Sequence, residues 1–228
     1  MDKLKLMEAF NMRHGLIPDK NVLLIVDAQY DFIDGTLPVP KAKHAMDLLA
    51  KELLLDHGEA YDKVVLTADW HPMDHCSFKE QGGQWPPHCI AHSAGAAIYQ
   101  PIMEALYLTK TPYDLIPKGS NPQVEEYSAF KAKQIGGNCV RIIDDEWMPI
   151  TVSKIHIDVV GLAYDFCVSE SARQLAEYGY DVCILGRYAP GIFKEGVDKA
   201  NDLNFSKGVL TADKVCAGPM YDKTRVKL

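Results

Sequence analysis

The sequence predicts an α/β protein with a three-layer, doubly wound fold, in which helices flank a mostly parallel central sheet. Four short apolar runs, rich in β-branched residues and free of polar alternation, are typical of strands buried on both faces. These runs span residues 22–26, 64–67, 155–161 and 182–185. Helical patterns lie between the runs, and this alternation favours a parallel sheet.

Two segments have the apolar spacing of amphipathic helices. In residues 42–55, and again in residues 168–175, apolar side chains recur at a spacing near four, which predicts one buried face on each helix. The second helix should end near Gly179. Residues 97–117 and 131–152 contain proline, glycine and scattered apolar residues, so there we expect loops with short elements.

Size and composition indicate a single domain over residues 1–228, with residues 1–20 as an N-terminal extension. The net charge of −7 disfavours nucleic acid and anionic membranes as partners, because both bind basic surfaces. The N-terminal residues do not match a signal peptide, and no apolar window reaches the length of a membrane span. We therefore expect a cytoplasmic protein whose six cysteines are reduced.

Reactive side chains follow three of the four predicted strands. Asp27 follows the first strand, Asp69 and His71 the second, and residues 163–167 the third. Ligands of doubly wound sheets bind beyond the carboxyl ends of the strands. The sequence therefore predicts a functional site at this edge of the sheet.

Cys167 is a candidate nucleophile because it lies where a predicted strand gives way to a helix. The helix N-terminus should lower the thiol pKa, and its free amides can stabilise an oxyanion. The alternative is a buried apolar cysteine, which is our interpretation of Cys183. Asp27 could act as the base for this thiol or merely cap a turn. Lys118 is either a solvated charge or a group that stabilises the thiolate and the tetrahedral intermediate.

A metal site is predicted by the clustering of ligand-type residues. Asp69 and His71 project from the same face if the strand persists, and His75 and His88 lie close along the chain. A carboxylate with two or three imidazoles suits zinc, iron or manganese. The remaining candidates lack such neighbours, and we interpret them as structural or surface residues: His44, His57 and His156.

Five segments together resemble the nicotinamidase branch of the isochorismatase-like hydrolases. In chain order they read LLIVDAQYDF, TADWHPMDHCSF, GGQWPPHC, IPKG followed by EEYSAF, and VVGLAYDFCVSESA. The DWHP motif with a downstream WPPHC is characteristic of nicotinamidases, and a cysteine at position 167 argues against the isochorismatase branch itself.

The resemblance implies a role for each matching residue. Asp27, Lys118 and Cys167 would form the catalytic triad, and the backbone N–H groups of Ala163 and Cys167 the oxyanion hole, with a cis peptide between Leu162 and Ala163. The implied ligands of one divalent metal ion, for which zinc is favoured and iron and manganese stay open as alternatives, are Asp69, His71 and His88. His75 stays open, since some relatives use a histidine near this position and others leave it to water. The aromatic residues implied to wall the substrate ring are Phe32, Trp85 and Tyr127.

The implied activity is hydrolysis of nicotinamide to nicotinate and ammonia through a cysteine thioester, in NAD salvage, with pyrazinamide also accepted. The sequence departs from the family in two features. Tyr164 occupies a position where the family usually has threonine, and the segment before the first strand is longer than expected for the family. Two alternatives stay open, an amidase for carbamoyl or ureido compounds and a non-catalytic metal- or ligand-binding homologue. The resemblance also leaves open whether the protein forms a homo-oligomer.

Overall fold

Six parallel strands form the central sheet of the computed structural model, which describes residues 20–57, 59–130 and 155–215. The strands lie in the sheet order β3-β2-β1-β4-β5-β6. Their bounds are β1 Lys20–Val26, β2 Lys63–Asp69, β3 Tyr113–Lys118, β4 Ile155–Gly161, β5 Asp181–Leu185 and β6 Leu210–Ala212. The predicted fold class is confirmed, and all five pairings between these strands are parallel.

The helices are α1 Tyr30–Ile33, α2 Ala42–Leu55, α3 Gln100–Thr109, α4 Ser169–Glu177 and α5 Lys194–Ser206. The helix predicted over residues 42–55 is confirmed to the residue, and α4 is the helix predicted after Cys167. None of the helices in the described part of the chain has the length and apolar character needed to span a bilayer.

Residues 97–117 are more regular than expected, because they contain α3 and most of β3. Pro101 lies in the first turn of α3, where a missing N–H costs little. Strand β3 lies at the sheet edge and is largely exposed, so it lacks the apolar run of a buried strand. An edge strand also tolerates a proline such as Pro117. The prediction for residues 131–152, like the N-terminal extension, lies outside the described residues.

Both faces of the sheet are buried, which explains why the strand sequences do not alternate. Leu23 and Ile25 of β1 share one core cluster with residues of α2 and α3. Val22, Leu24 and Val26 share the other cluster with residues of α4 and α5. Successive side chains point to opposite faces of a strand. The buried part of β1, residues 22–26, therefore needs apolar residues at every position, and the molecule has three layers.

The strand order reverses between β1 and β4, which are hydrogen-bonded neighbours with Val26 opposite Gly161. The connections that leave these two strands diverge to opposite sides of the sheet. Such a switch point opens a crevice beyond the carboxyl ends of the strands. The loop that begins at Asp27 and the turn that contains Cys167 border this crevice, so the topology alone brings them together.

A buried charge cluster lies at the opposite end of the sheet, around His156 at the start of β4. Its Nδ1 contacts the Asp181 carboxylate, and its Nε2 lies 3.2 Å from Asp158 Oδ1. Tyr61 donates a hydrogen bond of 2.8 Å to Asp158 Oδ2. Burial acts to lower the pKa of His156, but the bonds to Asp158 and Asp181 outweigh it and raise the pKa to about 9.

This cluster predicts a stability that depends on pH. The pKa of His156 is raised on folding from 6.5 to about 9, so its stabilisation is complete below pH 6.5 and is lost as the pH rises through 9. The stability advantage of the wild type over His156→Gln should therefore shrink by about 3 kcal/mol over this interval. Urea unfolding at several pH values measures it. His44→Gln, at an exposed site on α2, is the control, and a pH-independent difference for His156→Gln would contradict the prediction.

Candidate active site

The structure brings Asp27, Lys118 and Cys167 together from three different strands. Asp27 follows β1, Lys118 ends β3, and Cys167 lies in the turn after β4. The Lys118 ammonium lies 2.9 Å from Asp27 Oδ2 and 3.5 Å from Cys167 Sγ. A carboxylate oxygen of Asp27 lies within 4.8 Å of Cys167 Sγ. The lysine is buried, so its charge acts on these groups with little screening by water.

The carboxylate of Asp27 is held by the neighbouring strand. Its backbone N–H donates to Thr67 O at 3.1 Å, and Thr67 Oγ1 donates to Asp27 Oδ1 at 2.7 Å. Among the described residues, none makes an aligned hydrogen bond to Asp27 Oδ2, although Lys118 lies close to it. This oxygen is therefore available to accept a proton from the Cys167 side.

Lys118 also contacts a second buried carboxylate. Its ammonium donates to Asp69 Oδ1 and to Glu126 O, the latter at 3.2 Å. Burial acts to lower the pKa of Lys118, but Asp27 and Asp69 more than offset it and hold the pKa well above its usual value. The lysine is therefore a fixed positive charge at neutral pH.

Burial shifts the pKa values of Asp27 and Cys167 in the opposite direction. It raises the pKa of Asp27, with Lys118 opposing, and it raises the pKa of the Cys167 thiol well above its usual value, again with Lys118 opposing. The expectation of a lowered thiol pKa is wrong, because removal from water and two nearby carboxylates outweigh the lysine. Cys167 is therefore a thiol that needs a base at the moment of attack.

Backbone hydrogen bonds stabilise the turn that carries Cys167. The Leu162–Ala163 peptide is cis, as the resemblance implied. Residues Tyr164–Val168 form a π-helical turn that precedes α4, and Ala163 O accepts hydrogen bonds from the N–H groups of Phe166 and Val168. Of the two residues of the implied oxyanion hole, Ala163 directly precedes this turn and Cys167 is its fourth residue.

Asp69, His71 and His88 form a second cluster beside the first. All three are buried, and one ligand atom from each lies within 4.8 Å of the other two. His71 Nδ1 bonds to Gly119 O and His88 Nδ1 to Pro86 O, both at 2.8 Å. If Nδ1 is the protonated nitrogen in each ring, both rings keep the Nε2 lone pair free for a metal ion, which is how backbone carbonyls commonly orient histidine ligands.

The donor set fits a divalent ion chemically. Burial acts to raise the pKa of Asp69, but Lys118 and then His71 lower it well below its usual range. The site therefore offers an ionised carboxylate and two imidazoles, a combination that zinc, iron and manganese accept. Gly119 permits this packing, because a Cβ built on it would lie only 2.4 Å from the His71 ring.

His75 lies beside this cluster but uses its nitrogens elsewhere. Its Nδ1 lies 2.7 Å from Ser77 Oγ and its Nε2 lies 3.1 Å from Val124 O. Its ring stacks on that of His71 with centroids 4.0 Å apart. These contacts favour a packing role for His75 over ligation.

The three aromatic residues implied to wall the substrate lie in two places. Trp85 and Tyr127 meet at 3.5 Å between Trp85 Nε1 and the Tyr127 hydroxyl. Both contact the ring of Phe166, with centroids 5.1 and 5.6 Å away. Phe32 lies instead against His88, at 5.5 Å between ring centroids.

Two contributors were not identified from the sequence. Phe166 joins the aromatic cluster, and Thr67 orients Asp27. Signals for both were present, since Phe166 directly precedes Cys167, and Thr67 lies two residues before Asp69 on the same strand face.

Comparison with known proteins places the chain in a family. No family profile matches it. The nicotinamidase of Escherichia coli K12 is 31% identical over 202 residues, which cover 78% of this chain and 87% of the relative. The chain belongs to the nicotinamidase family. The resemblance seen in the sequence motifs is thereby confirmed.

Solved nicotinamidase-family structures share the fold. Pyrazinamidase of Pyrococcus horikoshii, solved in complex with zinc, is 26% identical, with a TM-score of 0.67 over 85% of this chain and 99% of that one. The yeast nicotinamidase Pnc1p is 25% identical, with a TM-score of 0.71 over 85% of this chain and 100% of that one.

The metal cluster predicts different outcomes for two neighbouring histidines. His88→Ala removes a nitrogen that would bind the metal. It should weaken zinc binding to the metal-free protein at least about 100-fold, which is more than the loss of an outer-shell partner usually costs. His75→Gln should change the zinc Kd by less than about tenfold, since both ring nitrogens already have other partners. Isothermal titration calorimetry measures both. Equal losses would identify His75 as a ligand, and an unchanged Kd for His88→Ala would reject the site.

Proposed function

We propose that this chain hydrolyses nicotinamide to nicotinate and ammonia through a thioester on Cys167, as a step of NAD salvage, and that it also accepts pyrazinamide. The observation that carries the proposal is the buried Lys118 ammonium, which touches both the Asp27 carboxylate and the Cys167 sulfur. A base, a nucleophile and a fixed cation in contact are what amide cleavage requires. Family membership supports the substrate class.

In the first half-reaction Asp27 takes the Cys167 proton while the sulfur bonds to the amide carbon. The carbonyl π electrons move to oxygen, and the backbone N–H groups of Ala163 and Cys167 donate to that oxygen. The Lys118 charge offsets the negative charge that develops beside it. Asp27 then returns the proton to the amide nitrogen, the C–N bond breaks, and ammonia leaves a thioester on Cys167.

In the second half-reaction water replaces ammonia. Asp27 accepts a proton from the water as its oxygen bonds to the thioester carbon. The C–S bond breaks, the sulfur leaves with its electron pair and recovers the proton, and nicotinate is released. The raised pKa of Asp27 suits this alternation between base and acid, because a general acid–base works best when its pKa lies nearer the working pH.

We also propose that Asp69, His71 and His88 hold one divalent metal ion, with zinc favoured and iron or manganese as alternatives. A related pyrazinamidase was solved with zinc, which supports this choice. When bound, such an ion supplies a Lewis-acid centre for a pyridine nitrogen or a water molecule. Trp85, Tyr127 and Phe32, together with Phe166, would enclose the substrate ring.

A small-molecule substrate, a cytoplasmic location and a single domain complete the proposal. The four cysteines in residues 20–57, 59–130 and 155–215 are free thiols, as a reducing compartment would keep them. Assembly into a homo-oligomer stays a prediction.

Loss of the nucleophile should abolish turnover. Cys167→Ala removes the only atom proposed to bond to substrate, so ammonia release from nicotinamide should fall at least about 1,000-fold. The zinc Kd should stay near that of the wild type. Cys183→Ala, at a half-buried thiol in β5, is the matched control and should keep its activity. Near-normal turnover by Cys167→Ala would overturn the mechanism.

Removal of the metal should suppress activity reversibly, in a protein whose Cys167 nucleophile is intact. Chelation of the purified protein should suppress ammonia release, and added zinc, iron or manganese should restore it. Release that continues after complete metal removal would keep the cysteine amidase and reject the metal's role. A metal-loaded, reduced protein that releases ammonia only from ureido or carbamoyl compounds would replace nicotinamide with that substrate class.

A further inference from the structure

Gln29 makes contacts that the proposed reaction does not use. It is fully buried, two residues beyond Asp27. Its Nε2 donates to Asp69 O at 2.8 Å, and its Oε1 accepts from Asp69 N at 2.8 Å. Nε2 also donates to Ala96 O at 2.8 Å. One side-chain amide thus binds both backbone polar groups of Asp69.

These bonds replace strand pairing where the sheet ends. The β1–β2 register runs to Ile25 opposite Leu66, and β1 stops at Val26. Asp69 lies beyond that point, so its N–H and C=O find no partner on the β1 backbone. A buried backbone group without a partner is costly. Gln29 supplies both partners and thereby fixes the backbone that carries the Asp69 carboxylate.

Asp31 makes a backbone contact next to another member of the metal cluster, His88. Its Oδ2 accepts from Cys89 N at 2.7 Å, and its Oδ1 accepts from Thr36 N at 3.1 Å. Cys89 directly follows His88 and has a φ of +46°. The carboxylate is enclosed, because a Cβ on Gly95 would lie 2.1 Å from Asp31 Oδ2. A charged acceptor with little room to move holds the His88–Cys89 peptide in place.

We propose that Gln29 and Asp31 are positioning residues of the metal site, Gln29 acting on Asp69 and Asp31 on His88. The inference rests on the proposed metal site and extends it. Gln29 lies in the loop that begins with Asp27, and Asp31 lies in the helix α1 that follows directly, so one short segment sets the position of the proposed base and of two proposed metal ligands. Outer-shell partners of this kind typically contribute about 10- to 100-fold in metal affinity.

The test uses two conservative variants of the full chain. Asp31→Asn keeps the shape of the side chain but replaces one acceptor oxygen by a donor that faces an N–H group. Gln29→Asn keeps the amide but is one methylene too short to reach both groups of Asp69. Each variant should weaken zinc binding to the metal-free protein by about 10- to 100-fold. The visible absorption of the cobalt(II)-substituted protein should change in shape, because it reports on ligand geometry.

Matched substitutions at exposed sites provide the controls. Asp34→Asn lies three residues from Asp31, and Gln100→Asn lies at the start of α3. Both should leave zinc affinity and the cobalt spectrum unchanged. The melting temperature of the metal-free protein separates positioning from folding. A lower melting temperature with unchanged zinc affinity and cobalt spectrum in both variants would overturn the proposal, as would a wild type that binds no zinc.

This test is independent of the proposed reaction. If the wild type releases no ammonia from nicotinamide, yet Asp31→Asn and Gln29→Asn weaken zinc binding as expected, the positioning role stands and the proposed substrate falls. If the wild type is active and both variants bind zinc normally, the function stands and the positioning role is rejected.

Discussion

The ammonium group of Lys118 is buried between the carboxylates of Asp27 and Asp69 and also touches the Cys167 sulfur. Removing a charged group from water costs several kcal/mol after relaxation, so two buried carboxylates at this point require a cation between them. The lysine meets that requirement and in turn is held charged by both acids. The rest of the site depends on this contact, because Lys118 is the strongest of the influences that lower the pKa of both carboxyls.

The charge count around Lys118 leaves one negative charge without a partner. Asp27 and Asp69 carry two negative charges when ionised, whereas Lys118 carries one positive charge. On the Asp27 side, burial and to a smaller extent the Asp69 charge raise the pKa of the carboxyl against the effect of Lys118, which makes Asp27 a better proton acceptor. On the Asp69 side, where the pKa is lowered, two imidazoles join the carboxylate in a cluster with metal-ligand spacing. The excess of negative charge over the single lysine therefore favours a base at Asp27 and the binding of a cation at Asp69.

Much of the fold could be predicted from local apolar patterns, whereas the full set of candidate site residues, Lys118 above all, rests on the family resemblance of the motifs. The buried strands are continuous apolar runs, and α2 shows its apolar face directly. Strand β3 is exposed at the sheet edge and contains Pro117, so it carries neither signal. Roles that depend on distant contacts did not follow from the local sequence alone. Gln29 and Thr67 matter because of partners forty positions away, and the raised pKa of Cys167 follows from burial that only the assembled fold creates.

The two halves of the site are joined through shared residues. Asp69 contacts Lys118 with one oxygen, and its other oxygen lies 3.5 Å from His71 Nε2. A shift of this carboxylate would therefore move the cation that serves Asp27 and Cys167. Gln29 fixes the Asp69 backbone from the same loop that carries Asp27, so the base and the ligand are held relative to one another by a few bonds. The proposed reaction, in which an aromatic amide would meet both a thiol and a metal ion, needs this rigidity, because a displacement of about 1 Å can cost a hundredfold in rate.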